Sequence, residues 1–183
     1  MKNIHWIVLG TSLLTASAQA VVKMEIEPII GYERVQKFLP SQHQKDRVVY
    51  GGRVIVGMPF IAVEGEYTRA SDTEVFTATN TTIAEVEDKA RLGARFSYRF
   101  TLLSIFARGG AQARLTKRVM TVGAAVTSQT DPIKYNPYAG AGVKLHFRQN
   151  IALTADVTVV FNAFPNFAQN DYMTTAGLVV SFP

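Results

Sequence analysis

Charged residues of both signs recur along this chain at two-residue spacing, and any chemistry it performs must be sought there. Glu25 and Glu27 are followed by Arg53, by Glu64 and Glu66, and by Arg91 and Arg95. Arg108, Arg114, Lys144 and Asp156 continue the series. Carboxylate and guanidinium groups form hydrogen-bonded ion pairs, and buried charges persist only when paired in that way. Other reactive groups are scarce. There is no cysteine, so no disulfide, thiolate metal site or cysteine nucleophile is possible. Beyond the N-terminal leader the histidines are His43 and His146, too far apart to read as a metal site. Arg148, not serine, lies two residues beyond His146, and no partnered nucleophile stands out. No phosphate-cradling G-x-x-x-x-G-K-[ST] motif occurs, and Asn80-Thr81-Thr82 reads as an accidental glycosylation sequon. No catalytic residue, cofactor or metal is expected.

The charges sit on segments that alternate with period two, the repeat that separates the two faces of a β-strand. Val22, Met24, Ile26, Pro28, Ile30 and Tyr32 share one parity, with Lys23, Glu25 and Glu27 on the other. Val48 to Met58 repeats the pattern, with Val54 and Val56 opposite Arg53. Parity then flips, so that Ile61, Val63, Gly65 and Tyr67 oppose Glu64 and Glu66. Ala90 to Phe100, Leu103 to Leu115, Tyr135 to Phe147, Ile151 to Phe161 and Tyr172 to Phe182 continue the alternation. The result is about eight strands of roughly ten residues, the length a tilted strand needs to cross a bilayer.

Connections alternate as well. Short turns are predicted near Gly57-Met58, Thr101-Leu102 and Arg148-Gln149-Asn150. Long loops are predicted over 33–47, 70–87, 117–131 and 162–171. A two-residue turn flips sequence parity and a three-residue turn keeps it, as the apolar pattern does at these places. Short turns at one end and long loops at the other are the pattern of a bacterial outer-membrane barrel. Depending on where the first turn falls, Arg53 lies across from Glu64 or diagonal to it. Lys144 and Asp156 are expected to be similarly close across the sixth and seventh strands.

Met1 to Ala20 reads as a secretory signal: Lys2, an apolar run from Trp6 to Leu14, and a small-residue Ala18-Gln19-Ala20 cleavage pattern. The expected domains are therefore a signal peptide, 1–20, and a barrel, 21–183. No cysteine follows Ala20, so a lipoprotein is excluded. Charged residues are only 18% of the chain and hydrophobic ones 48%, which excludes a disordered, highly charged chain. The formal charge of +5 raises nucleic acid as a partner, but an exported protein is a poor candidate for that role.

The fold class expected is all-β: a closed antiparallel up-and-down transmembrane β-barrel with a polar interior and an apolar lipid-facing exterior. A soluble eight-stranded barrel would reverse the faces. Three features favour the membrane form. Aromatic residues such as Tyr32, Tyr50, Tyr67, Phe96, Tyr135, Phe147 and Tyr172 sit toward the ends of the apolar faces, as interfacial girdles do. Gly51, Gly93, Gly110, Gly140 and Gly142 share the charged faces, as a cramped interior requires. The only tryptophan lies in the leader, so the lipocalin G-x-W signature is missing.

On these segments the chain resembles the small eight-stranded outer-membrane barrels of the OmpA/OmpX type, over nearly its whole mature length. The last strand carries a motif similar to that family's C-terminal assembly signal, with Thr175, Gly177, Val180 and Phe182 at its defining positions. Gly177 and Phe182 are both placed on the outward face. Pro183 is a departure, since such chains end on the aromatic. The resemblance implies location in the outer membrane of a Gram-negative-type bacterium. Implied partners are outer-membrane lipid and lipopolysaccharide, the barrel-assembly machinery, and an extracellular protein reached through the loops. A monomer is expected, with no separate peptidoglycan-binding domain.

The charged interior reads as a structural plug that fixes register. An alternative is a narrow anion-preferring pore, suggested by the excess of Arg91, Arg95, Arg99, Arg108 and Arg114 on adjacent strands. A lipid A-modifying enzyme is the weakest reading, for want of a partnered histidine. Thr73 to Glu87 and Val119 to Thr127 have strand-like compositions that could prolong the sheet beyond the membrane and offer an edge to a partner.

Overall fold

The computed structural model describes residues 22–37, 43–162 and 169–182. The leader assigned to 1–20 and Pro183 lie outside the described residues. Nine strands are present: β1 (Lys23–Lys37), β2 (His43–Gly57), β3 (Ile61–Phe76), β4 (Thr81–Arg99), β5 (Leu103–Val122), β6 (Ala125–Thr130), β7 (Lys134–His146), β8 (Ile151–Val160) and β9 (Asp171–Phe182). All pairings are antiparallel. Eight strands close a ring in the order β1-β2-β3-β4-β5-β7-β8-β9, and β9 pairs back onto β1. β6 stands outside the ring, paired with the far end of β5. Closure removes the free edges that an open sheet would present.

Face assignment follows the sequence parity. Val54, Val63, Leu92, Ile105, Leu153 and Leu178 are exposed on the outside, while Glu27, Arg53, Glu64 and Thr158 are buried within. Apolar side chains outside and charged side chains inside invert the soluble arrangement and define a transmembrane barrel. The aromatic girdles differ in chemistry. Exposed Tyr32, Tyr50, Tyr67, Tyr135 and Tyr172 ring the long-connection end, whereas Phe60, Phe96, Phe100, Phe147 and Phe182 dominate the short-turn end.

Three tight turns form one rim. Thr101-Leu102 and Arg148-Gln149-Asn150 occupy the predicted turn centres, closed by Phe100 N–H to Leu103 O at 2.7 Å and Phe147 N–H to Ile151 O at 3.1 Å. The β2–β3 turn lies later than expected. Gly57 remains in the ladder opposite Ala62, and Met58 N–H donates to Ile61 O at 2.8 Å, leaving Pro59-Phe60 as the turn centre. Proline's fixed φ suits the second position of a turn. Each residue by which the turn moves slides the pairing by two, so a turn two residues beyond Gly57-Met58 sets Arg53 opposite Glu66 and leaves Glu64 on the diagonal.

At the opposite end the strands run on beyond the membrane, as the compositions of Thr73 to Glu87 and Val119 to Thr127 suggest. β4 has 19 residues and β5 has 20, and much of the expected loops over 33–47, 70–87 and 117–131 is strand. Period-two alternation persists there with charged residues on the inner face, so the apolar signal fades while the ladder continues. The β3–β4 hairpin turns at Thr77–Asn80, where Asn80 takes a left-handed conformation, φ 46°, one that asparagine tolerates. Gly123, φ 58°, supplies the same geometry between β5 and β6. The ends of β3, β4 and β5, with β6, thus form a four-stranded sheet beyond the tyrosine girdle.

Candidate functional site

Four arginines and four carboxylates fill the centre of the lumen. The Arg53 guanidinium, donated from β2, is almost completely buried. Its Nε donates to Glu66 Oε2 at 2.8 Å, and its Nη1 to Glu27 Oε1 at 3.0 Å and Asp156 Oδ2 at 3.2 Å. Glu64 lies diagonally, 3.7 Å away. Arg108 Nη1 donates to Glu64 Oε1 at 2.7 Å and Glu66 Oε2 at 2.6 Å, while Nη2 reaches Asp156 Oδ1 at 2.8 Å. Arg95 Nε donates to Glu64 Oε2 at 2.8 Å. Arg91 pairs with Glu66 and donates through Nε to Gln112 Oε1 at 2.7 Å. The charges of this layer balance, which offsets the arginine excess that suggested an anion-preferring pore. Guanidinium forks suit such shared carboxylate contacts, since five donors diverge from one rigid plane.

Inward aromatics and small residues complete the packing. Arg95 lies over the Phe106 ring at 4.1 Å, and Arg91 and Arg108 lie 5.8 Å from the Tyr138 centroid, within cation–π range. A Cβ at Gly142 would sit 2.5 Å from Phe106 Cζ. Gly177 corrects the expected placement: it points inward, where a Cβ would lie 2.6 Å from Glu27 Oε1, whereas Phe182 is exposed. Residues of opposite sequence parity on one regular strand cannot share a face. Thr175 also points inward and donates to Asp156 Oδ2 at 2.7 Å, while Val180 takes the outward parity of Phe182.

A second ionic layer lies above the first, toward the long connections, and sequence reasoning missed most of it. Arg47 Nη2 is 3.0 Å from Glu33 Oε2 and pairs with Glu87; Lys89 is 2.9 Å from Glu87 and pairs with Glu33. Lys37 reaches Asp72 at 2.6 Å, and Arg118 reaches Glu85 at 3.2 Å. Arg114, expected in the lumen, binds Asp171 at 2.8 Å. Most of these residues fall in the predicted loops, although the period-two pattern through Glu33, Val35 and Lys37 and through Glu85, Glu87 and Lys89 is a usable signal. Burial alone would raise the Glu74 carboxyl, but a hydrogen bond from His43 and the charges of Lys37, His43 and Lys45 hold it below the ordinary carboxylate range. Glu87 is likewise held down, against its burial, by Lys89, Arg47 and Arg114.

The short-turn mouth departs from expectation in two respects. Lys144 does not meet Asp156. It faces Thr154 in the ladder, and its Nζ contacts both Glu25 oxygens at 2.6 Å. His146 does have a serine neighbour: Ser104 Oγ lies 2.8 Å from its Nε2. The partner comes from β5, so residue spacing around His146 gave no sign of it. Among the described residues no carboxylate hydrogen-bonds the other ring nitrogen, so the orienting acid of a catalytic triad is missing. No group of three metal-ligating side chains is assembled among the described residues.

A closed eight-stranded barrel with charges inside and tyrosine and phenylalanine girdles outside is the architecture of the small outer-membrane barrels. Solved structures of that class match it. The N-terminal β-barrel domain of Pseudomonas aeruginosa OprF aligns over 90% of this chain and 100% of its own, with TM-score 0.60 and 16% identity. Ail, the attachment invasion locus protein of Yersinia pestis, aligns over 87% of this chain and 98% of its own, with TM-score 0.57 and 13% identity. Neisserial surface protein A aligns over 88% and 97%, with TM-score 0.56 and 11% identity. No protein-family model and no curated protein matches the sequence.

Proposed function

We propose that this chain is an exported, non-enzymatic outer-membrane barrel whose ion-paired lumen acts as a plug and whose protruding sheet contacts an extracellular protein. The observation that carries this reading is β6. All six of its residues are exposed, among the described residues it pairs only with β5, and it edges a sheet that rises beyond the tyrosine girdle. The open edge of a strand offers backbone N–H and C=O groups to an extended segment of another chain, and alternate side chains give selectivity. Val119, Val122 and Val126 add exposed apolar surface near that edge. A protein named for attachment and invasion shares the fold, which supports a contact role of this kind.

The supporting orientation places the short turns and both barrel termini in the periplasm and the four-stranded sheet outside the cell. Cleavage of 1–20 on export, and assembly through the C-terminal strand by the barrel-assembly machinery, belong to the same proposal. A tag inserted at Asn80 should be accessible to antibody on intact cells. Accessibility only after outer-membrane permeabilisation would overturn the orientation, and a soluble periplasmic product would overturn membrane insertion. Purified protein that modified lipid A would overturn the non-enzymatic reading.

A further inference from the structure

We infer that the short-turn mouth of the lumen is a binding site for a compact phosphate-class oxyanion. Beneath the central ionic layer lies a cavity of about 100 Å³. A water needs roughly 10–15 Å³ on this measure, so the space takes several waters or one tetrahedral oxyanion. Its inner end is closed by Arg95, already committed to Glu64 at 2.7 Å and to the Phe106 ring.

The cavity wall carries an imbalance of charge. Among the described residues Glu25 is its only carboxylate, and both Glu25 oxygens are taken by Lys144 at 2.6 Å, with Ser181 donating to one of them at 3.2 Å. Lys144 is thereby neutralised. Lys23 from β1 and Arg99 from β4 also line the cavity, and neither forms an ion pair among the described residues. Lys23, Arg99, Lys144 and the His146 ring line the same recess, so the cations converge on one space. The rim in the β7–β8 turn adds Arg148 and no acid.

Two exposed cations that form no ion pair among the described residues, at the mouth of a recess lined by both polar and apolar side chains, supply the positive charge for an anion. The donors favour phosphate over a planar carboxylate. An ammonium, a guanidinium fork and the Ser97 and Ser104 hydroxyls come from three different strands, which matches the several divergent acceptors of a tetrahedral dianion. The group has two sources, free phosphate or the headgroup of a phospholipid at the rim.

The test uses the folded barrel in nanodiscs of zwitterionic lipid, titrated with inorganic phosphate at constant ionic strength. The His146 ring and the Ser104 amide are followed by NMR. Saturable shifts are expected with phosphate but not with chloride or acetate. Arg99→Gln and Lys23→Gln should each weaken the response about tenfold, the scale of losing a charged hydrogen bond. Neither change breaks an ion pair, so both variants retain the barrel. Arg69→Gln, at the opposite end, should leave the affinity unchanged. In nanodiscs containing phosphatidylglycerol, a lost phosphate response assigns the site to a lipid headgroup, and a retained one assigns it to free phosphate. Non-saturable shifts, an equal response to acetate, or full affinity in both Arg99→Gln and Lys23→Gln would overturn the site.

Discussion

Arg53 and Glu66 stand directly opposite each other on β2 and β3, and one guanidinium joins this ladder pair to Glu27 and Asp156 from β1 and β8. A single side chain therefore ties together strands that are not all neighbours in the ring. Register on β2–β3 is fixed twice, by the Pro59-Phe60 turn and by this charge contact.

Arg53→Ala should leave several buried carboxylates short of their shared cation. The expected loss is about 3 kcal/mol, the scale of breaking a buried ion pair by removing one partner. Urea titration of the refolded protein in lipid vesicles reads it directly. Arg53→Lys should recover only part, because an ammonium lacks the planar fork that reaches Glu66 and Glu27 together.

An outward change should fail for a different reason. Val54 neighbours Arg53 in sequence but is 45% exposed on the lipid-facing side. Val54→Arg should cost roughly 2–4 kcal/mol near the bilayer midplane. In the same vesicle titration, a harmless Val54→Arg would mean that the membrane-facing surface has been misassigned.

The protruding sheet should loosen in acid. Glu74 and Glu87 are both held below the ordinary carboxylate range in the folded protein by neighbouring cations. Groups lowered on folding add stability that is complete above the unfolded value of about 4.3. That stability erodes as pH falls below it and is gone once pH has passed the folded values. Amide hydrogen exchange in β3 and β4 beyond the tyrosine girdle should lose protection as pH falls from about 5 to below about 4. Unchanged protection at acid pH would remove these ion pairs from the stability of the sheet.

Trimming the hairpins should separate folding from contact. Shortening Val75–Ile83 and Val119–Thr127 to tight turns removes the sheet edge but spares Asp72, Glu85 and Glu87, which pair with Lys37, Arg118 and Arg47. Folding should survive, since surface connections add little to a closed ladder. Adhesion or partner capture measured with intact cells should disappear. A deletion running to Glu87 should instead destabilise the barrel, because it strips Arg47 and Lys89 of buried partners.

Period-two alternation separated the two faces of the eight ring strands and located two of the three tight turns, and the aromatic and glycine placement told which face looks inward, the one that includes Glu27, Arg53, Glu64, Glu66, Arg91, Arg95 and Arg108. That information is local: parity tells which side of a strand a residue occupies, whatever the strand pairs with. Tertiary structure alone decided the partners. Lys144 looked close to Asp156 from its own strand pair, yet Glu25, brought round by closure of β9 onto β1, takes it. Ser104 reaches His146 only because β5 pairs with β7 and β6 stands aside. The upper ionic layer was hidden for a related reason, although the strand-like composition of Thr73 to Glu87 and Val119 to Thr127 already points to a prolonged sheet with an edge. Beyond the membrane no apolar face marks a strand, and only the ladder that neighbouring strands supply keeps those residues extended.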